Sequence, residues 1–140
     1  METWTLYAIL AMVFAGITSV LAKFGLQSIH PDLALGIRTT VIFFLISLMV
    51  ISSGKLKDLH SLQIKHVVLL IASGITTTLS WVFYYRAMKE GPVSYVASID
   101  KASIIITLLL SFTLLKEPVT FKVLIGAALI LLGMLVLVWK

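Results

Sequence analysis

GPVSYVASIDKASIIITLLLSFTLL, residues 91–115, is the stretch on which the fold turns. Apart from the adjacent Asp100 and Lys101 it carries no charge across 25 residues. A helix that crosses a bilayer needs roughly 20 mostly apolar residues, within a range of about 17–25. A closed barrel would instead show short strands of alternating polarity, and this run does not alternate. In hydrocarbon every backbone group must find its partner inside the segment, which leaves helix. Asp100 then lies about 14 Å from the start of the run at about 1.5 Å per residue, close to the middle of a hydrocarbon core about 30 Å thick. An aspartate is too short to snorkel easily, and charge at a helix centre costs roughly 2.5–3.5 kcal/mol on insertion scales. A charge kept there needs a functional reason.

Four more apolar runs lie on either side, at residues 3–22, 33–51, 67–85 and 123–139, and only the second holds a charge, Arg38. Composition agrees. The chain is 60% hydrophobic and 12% charged, whereas a soluble domain carries about 25% charged residues. Too few charges are present to coat a water-soluble surface, so lipid must cover much of it. The sequence therefore predicts an all-α integral membrane protein: one domain over residues 1–140, with helices near 3–26, 33–51, 67–88, 92–115 and 121–139. The start, Met1-Glu2-Thr3-Trp4, has no basic side chain, and the run after it is long enough to span; it reads as a retained helix, not a cleaved signal. Cysteine is absent, which excludes disulfides and thiolate metal sites. The net charge is +5, but the lysines fall in short gaps between apolar runs, so no nucleic-acid partner is expected.

The gaps carry helix punctuation. His30-Pro31-Asp32 opens the second helix with Asp32 as its cap, Gly91-Pro92 opens the fourth, Lys116-Glu117-Pro118 closes it, and Thr120 caps the fifth. Residues 52–66 form the longest gap. Its Leu56, Leu59 and Leu62 recur at every third position, which leaves a short interfacial helix and an ordinary loop both open. Five crossings place the ends on opposite sides. Lys55, Lys57, Lys65, Lys116 and Lys122 fall on the N-terminal side; Arg86, Lys89 and Lys140 fall on the other, with Lys23 near a boundary. That bias favours a cytoplasmic N-terminus. It is narrow, as in a protein able to insert both ways round.

Polar residues inside the spans are the candidate site. Asp100, Ser103, Thr107 and Ser111 follow one another at steps of three or four, which stacks them on one helix face. Lys101 points about a quarter-turn away at roughly 100° per residue. The third helix carries a second stripe, Ser73, Thr76 or Thr77, Ser80 and Tyr84, flanked by Trp81. Two such stripes suit the walls of a wetted cavity, although serine and threonine also serve helix packing. Arg38 is a planar fork suited to Asp100 or to a substrate carboxylate or phosphate. Lys23 shares a face with Gly16 and Ser19 near a helix end, where snorkelling competes with a site role. Trp4, Tyr95 and Trp139 read as interfacial anchors. The fifth helix, with Gly126 and Gly133 near one face, reads as a packing helix at a subunit contact. No catalytic constellation, metal-ligand cluster or phosphate loop is visible: His30, His60 and His66 all fall in gaps. Neither enzyme activity nor a cofactor is expected.

One family resemblance emerges from these residues. Ser80-Trp81-Val82-Phe83-Tyr84-Tyr85-Arg86-Ala87-Met88-Lys89, Gly91-Pro92-Val93-Ser94, Ile99-Asp100-Lys101-Ala102-Ser103, Leu115-Lys116-Glu117 and the glycine-spaced Gly126 to Gly133 resemble an EamA domain, as do Ala22-Lys23-Phe24-Gly25-Leu26 and Ile37-Arg38-Thr39-Thr40. The chain looks like the short bacterial and archaeal transporters of the drug/metabolite transporter superfamily. Ser98 departs from the pattern, which often has proline before Ile-Asp-Lys. The resemblance implies a five-helix half-transporter in a prokaryotic inner membrane, since longer members hold two such halves in inverted orientation. An odd number of crossings inverts a fused second copy automatically, so an antiparallel homodimer is the natural working unit. It implies alternating access, with Asp100 and Lys101 at the substrate or coupling site and Arg38 and Lys23 setting its charge. Ser103, Thr107, Ser80, Thr77, Trp81 and Tyr84 would line the route; Arg86, Glu117, Gly126 and Gly133 would be structural. The net cationic interior mildly favours an anionic or zwitterionic metabolite, and protonation of Asp100 is a candidate for coupling to a proton gradient. The rival expectations are a non-transporting subunit of a heteromeric complex and a lipid-headgroup flippase subunit.

Overall fold

The computed structural model describes residues 2–139; Lys140, counted above among the topological charges, lies outside them. The described residues are helical with no strand. In order come α1 (Thr3–Gly25), α2 (Pro31–Ser52), a 3₁₀ helix (Lys55–Ser61), α3 (Ile64–Glu90), α4 (Val93–Lys101), α5 (Ser103–Leu110), a π turn (Ser111–Leu115) and α6 (Phe121–Val138). Five spans are long and apolar enough to cross a membrane, the fourth being Val93–Leu115.

Local chemistry explains the boundaries. Pro31 occupies the first turn of α2, where its missing N–H costs nothing and its φ is already helical. His30 is therefore the cap: its Nδ1 accepts from the backbone N–H of Asp32 at 3.3 Å. Asp32, expected in that role, is the second residue of the helix, within its first turn, with its carboxylate turned to Arg86. The Thr120 hydroxyl accepts from Val123 N–H at the start of α6. The 3₁₀ helix repeats every three residues, so Leu56 and Leu59 stack on one exposed side, with Leu62 just beyond. The fourth span ends where Lys116 takes a left-handed φ of 54°, leading into Glu117 and Pro118.

That fourth span is not one uninterrupted helix. At Ala102 the bonding tightens to 3₁₀ type: Ala102 N–H donates to Ile99 O at 2.9 Å and Ile105 N–H to Ala102 O at 3.0 Å. The interruption follows Lys101 directly. At the unusual Ser98 the helix is regular, its hydroxyl donating to Ser94 O at 2.7 Å.

The chain divides into two compact units, one made of the chain up to Ser19 and from Gly91 onward, the other of Val20–Glu90. In the first, α4 packs against α6; in the second, α2 packs against α3. Very little is buried. Leu26, Leu35, Tyr85 and Met88 form the apolar core, with Leu26 and Met88 at 1% and 0% exposure. These four gather at one end of the Val20–Glu90 unit. Elsewhere the helices turn large apolar side chains outward, among them Phe43, Phe44, Leu70, Phe83 and Leu129. A soluble monomer does not carry so much exposed apolar surface; in a bilayer such side chains face acyl chains or another helix.

Candidate functional site

In the unit containing α4 to α6, Asp100 and Lys101 form an ion pair, Nζ to Oδ2 3.1 Å. Both side chains are partly open, at 38% and 66% exposure. They occupy the last turn of α4, next to the tightened bonding at Ala102. The hydroxyls further along fold back onto their own helix: Thr107 Oγ1 donates to Ser103 O at 3.1 Å and Thr113 Oγ1 to Leu109 O at 2.7 Å. Such back-bonding satisfies the hydroxyl donor while leaving lone pairs for water or solute. Ser111 is buried, and its hydroxyl donates to the Glu117 carboxylate, whose own N–H bonds back to Ser111 O at 3.3 Å. Glu117 thus closes the π turn.

In the Val20–Glu90 unit the polar chemistry falls into three groups. Arg38 places its guanidinium carbon 4.1 Å from the centroid of the Trp81 ring and 5.7 Å from that of Tyr85, within reach of both π faces. Arg86 grips Asp32 with both prongs, Nε to Oδ1 at 3.3 Å and Nη2 to Oδ2 at 3.1 Å. The third group is a reciprocal lysine clasp. Lys23, in the last turn of α1, donates to Met88 O at 2.6 Å near the end of α3. Lys89, in the last turn of α3, donates to Leu26 O, Gln27 O and Ile29 O at 2.5, 3.0 and 3.3 Å. Helix C-termini present unpaired carbonyls and a partial negative charge. Lys23 supplies cation and donors to the last turn of α3, and Lys89 supplies them to the carbonyls of the turn that directly follows α1.

Cavities border these groups. One of about 720 Å³ lies among Ser28, His30, Asp32, Arg86, Lys89 and Glu90. A smaller one, about 210 Å³, lies against Lys23, Leu26, Gln27 and Lys89. Another, about 310 Å³, is a groove between α2 and α3 lined by Asp32, Leu35, Gly36, Thr39, Thr77 and Trp81 among others.

Residues 2–139 match the EamA-like transporter family. The chain belongs to that family. An EamA-like relative is the Sinorhizobium protein named "Uncharacterized transporter in cobO 3'region", 34% identical over 136 residues, which are 97% of this chain and 96% of that one. No solved structure matches the chain. With its five apolar spans, this EamA-like chain is a multi-pass membrane protein of the transporter class, which implies a small-molecule substrate and a surrounding lipid bilayer.

Within the EamA-like chain, the structure brings Arg38 together with Trp81, pairs Asp100 with Lys101, and places Ser103 and Thr107 directly beyond that pair. Thr77 lines the α2–α3 groove. Tyr84 has its ring 6.5 Å from that of Tyr85, and Ser80 is exposed on α3. Lys23 is engaged at the end of α3, and Arg86 is engaged by Asp32. An added Cβ at Gly126 or Gly133 meets nothing within 4 Å, so neither glycine is needed for close approach inside this chain. Sequence reasoning missed Asp32, Tyr85 and Lys89 as members of polar clusters. A signal for Lys89 existed: α1 and α3 run the same way, so basic residues in the last turns of both meet at one membrane face.

Proposed function

We propose that this chain is a secondary carrier that moves a small solute by alternating access, as a homodimer of oppositely inserted copies in a prokaryotic inner membrane. The observation that supports this most is the interruption of the fourth span beside Asp100 and Lys101. Carriers built from inverted repeats place their sites near the midplane on discontinuous helices, where loosened backbone and ionisable side chains meet water and solute. An inert span has no use for either. In this reading residues 1–140 act as one EamA-like domain, and the route is completed by the second copy. Asp100 and Lys101 form the binding or coupling site, Ser103, Thr107, Ser80, Thr77, Trp81 and Tyr84 line the approach, and Arg38 contributes charge. Lys23 and Arg86 act through the helix ends they hold. Outward-facing apolar side chains around Gly126 and Gly133 give the second copy a surface to meet.

The test is solute uptake by proteoliposomes, screened over small metabolites. Once a transported solute is found, Asp100→Asn and Lys101→Ala should each lower uptake by about tenfold or more, as expected for an intramembrane charge kept for function. Wild-type uptake by both variants removes this pair from the mechanism.

A further inference from the structure

The polar side chains of the spans are not equally available to a ligand. Asp32 is held by Arg86, Asp100 by Lys101, Lys23 by a carbonyl in the last turn of α3, and Lys89 by carbonyls of the turn after α1. Of the other acids, Glu2, Glu90 and Glu117 lie at or beyond the ends of the spans, and Asp58 lies in the 3₁₀ helix between two of them. Arg38 differs. Among the described residues no carboxylate, carbonyl or hydroxyl accepts from its guanidinium; its partners are the faces of Trp81 and Tyr85. A guanidinium stacked on a ring presents its N–H donors at its edge, in the plane that matches a carboxylate or phosphate.

Depth makes this arrangement informative. Arg38 stands seven residues after Pro31 and Trp81 nine before Glu90, about 10 and 13 Å from those helix ends at 1.5 Å per residue. An arginine bound for the headgroups would extend toward the end of the helix. Stacking on Trp81 holds this one inside instead, half-buried, with its charge unneutralised by the chain. Trp81 also lines the groove of about 310 Å³ with Leu35, Gly36, Thr39 and Thr77, and with Asp32, whose carboxylate is already paired with Arg86, so the ring under the cation borders mostly apolar space. That volume lies at the small end of the usual range for metabolite sites, about 300–1,000 Å³.

We propose that Arg38, backed by Trp81, is the anion receptor of this carrier, its edge N–H groups taking the carboxylate or phosphate of a small solute. Tyr85 steadies the same guanidinium from α3. The assignment of that solute as the substrate rests on the carrier reading above; the receptor itself does not, because binding is measured without flux.

Trp81 supplies the readout. The chain has three tryptophans, so Trp4→Phe with Trp139→Phe leaves Trp81 alone to report. The full chain in uncharged detergent is titrated at constant ionic strength with propionate and with inorganic phosphate, with propionamide as the neutral isostere. A parallel arm adds phosphatidylglycerol as mixed micelles, since a lipid headgroup carries the same chemistry. At least one solute anion should shift Trp81 emission saturably while propionamide does not. Arg38→Gln should raise the Kd by about tenfold or more, the scale of a charge-assisted hydrogen bond. Arg38→Lys, which keeps the charge and loses the fork, should weaken binding severalfold, and it decides the matter if Arg38→Gln does not fold. Silence toward both anions, or wild-type affinity in either Arg38 variant, overturns the proposal. A response to phosphatidylglycerol alone assigns the site to lipid and overturns it for solutes. Failure here with uptake intact removes the receptor and not the carrier.

Discussion

Asp100 and Lys101 neutralise each other across 3.1 Å, and this governs what their removal does. A lone intramembrane charge is worse than a pair, because the surviving ion keeps its desolvation cost and loses its partner. Both side chains are substantially open, which dilutes the effect without changing its sign. Lys101→Met and Asp100→Asn should therefore each lower the thermal unfolding midpoint of the purified protein, while the double variant should be less destabilised than the sum of the two. Additive losses would mean that the ions do not sense each other. Asp100, Lys101 and Arg38 were legible in the sequence because charge inside an apolar run has few innocent explanations. Asp32 and Lys89 were not, because charges at helix ends look the same whether they serve topology, capping or a cluster; only three-dimensional neighbours separate those roles.

Elements show a similar division. Five spans follow from run length and polarity, since nothing but helix satisfies a backbone in hydrocarbon. Pattern alone did not reveal the interruption at Ala102, because neither proline nor glycine marks it. The 3₁₀ helix was half-visible in the three-residue spacing of Leu56, Leu59 and Leu62. The lysine clasp belongs to this scale, as it joins the ends of α1 and α3. Lys23→Met and Lys89→Met should each cost about 1 kcal/mol of stability, the order of a cation's interaction with a helix C-terminus. Arginine at either position should restore part of the loss. Unfolding of Lys23→Met at the wild-type midpoint, together with a raised KM for the transported solute, would place Lys23 in the site instead of the clasp. Ser111→Ala removes the hydroxyl donated to Glu117 and leaves that carboxylate one partner short; a lowered unfolding midpoint is expected, with Ser111→Thr closer to wild type.

Among the described residues the apolar core is small, with Leu26 and Met88 fully buried and Leu35 and Tyr85 nearly so, so stability depends on what surrounds the chain. Lipid covers part of that surface; a second copy covers the rest in the proposed dimer. The chain contains no cysteine, so single cysteines added at each end report topology directly. Labelling of each end from both membrane faces supports oppositely inserted copies, and labelling from one face only rules them out. The same background allows the most direct test of the central claim, that water and solute reach the interrupted fourth span. Ser103→Cys and Thr107→Cys are reconstituted and treated with a membrane-impermeant thiol reagent from each side, with Leu129→Cys on the apolar surface of α6 as the control. The cysteines beyond Asp100 and Lys101 should react from the aqueous phase while the control stays silent. Failure of both to react from either side, in folded protein, would contradict that claim.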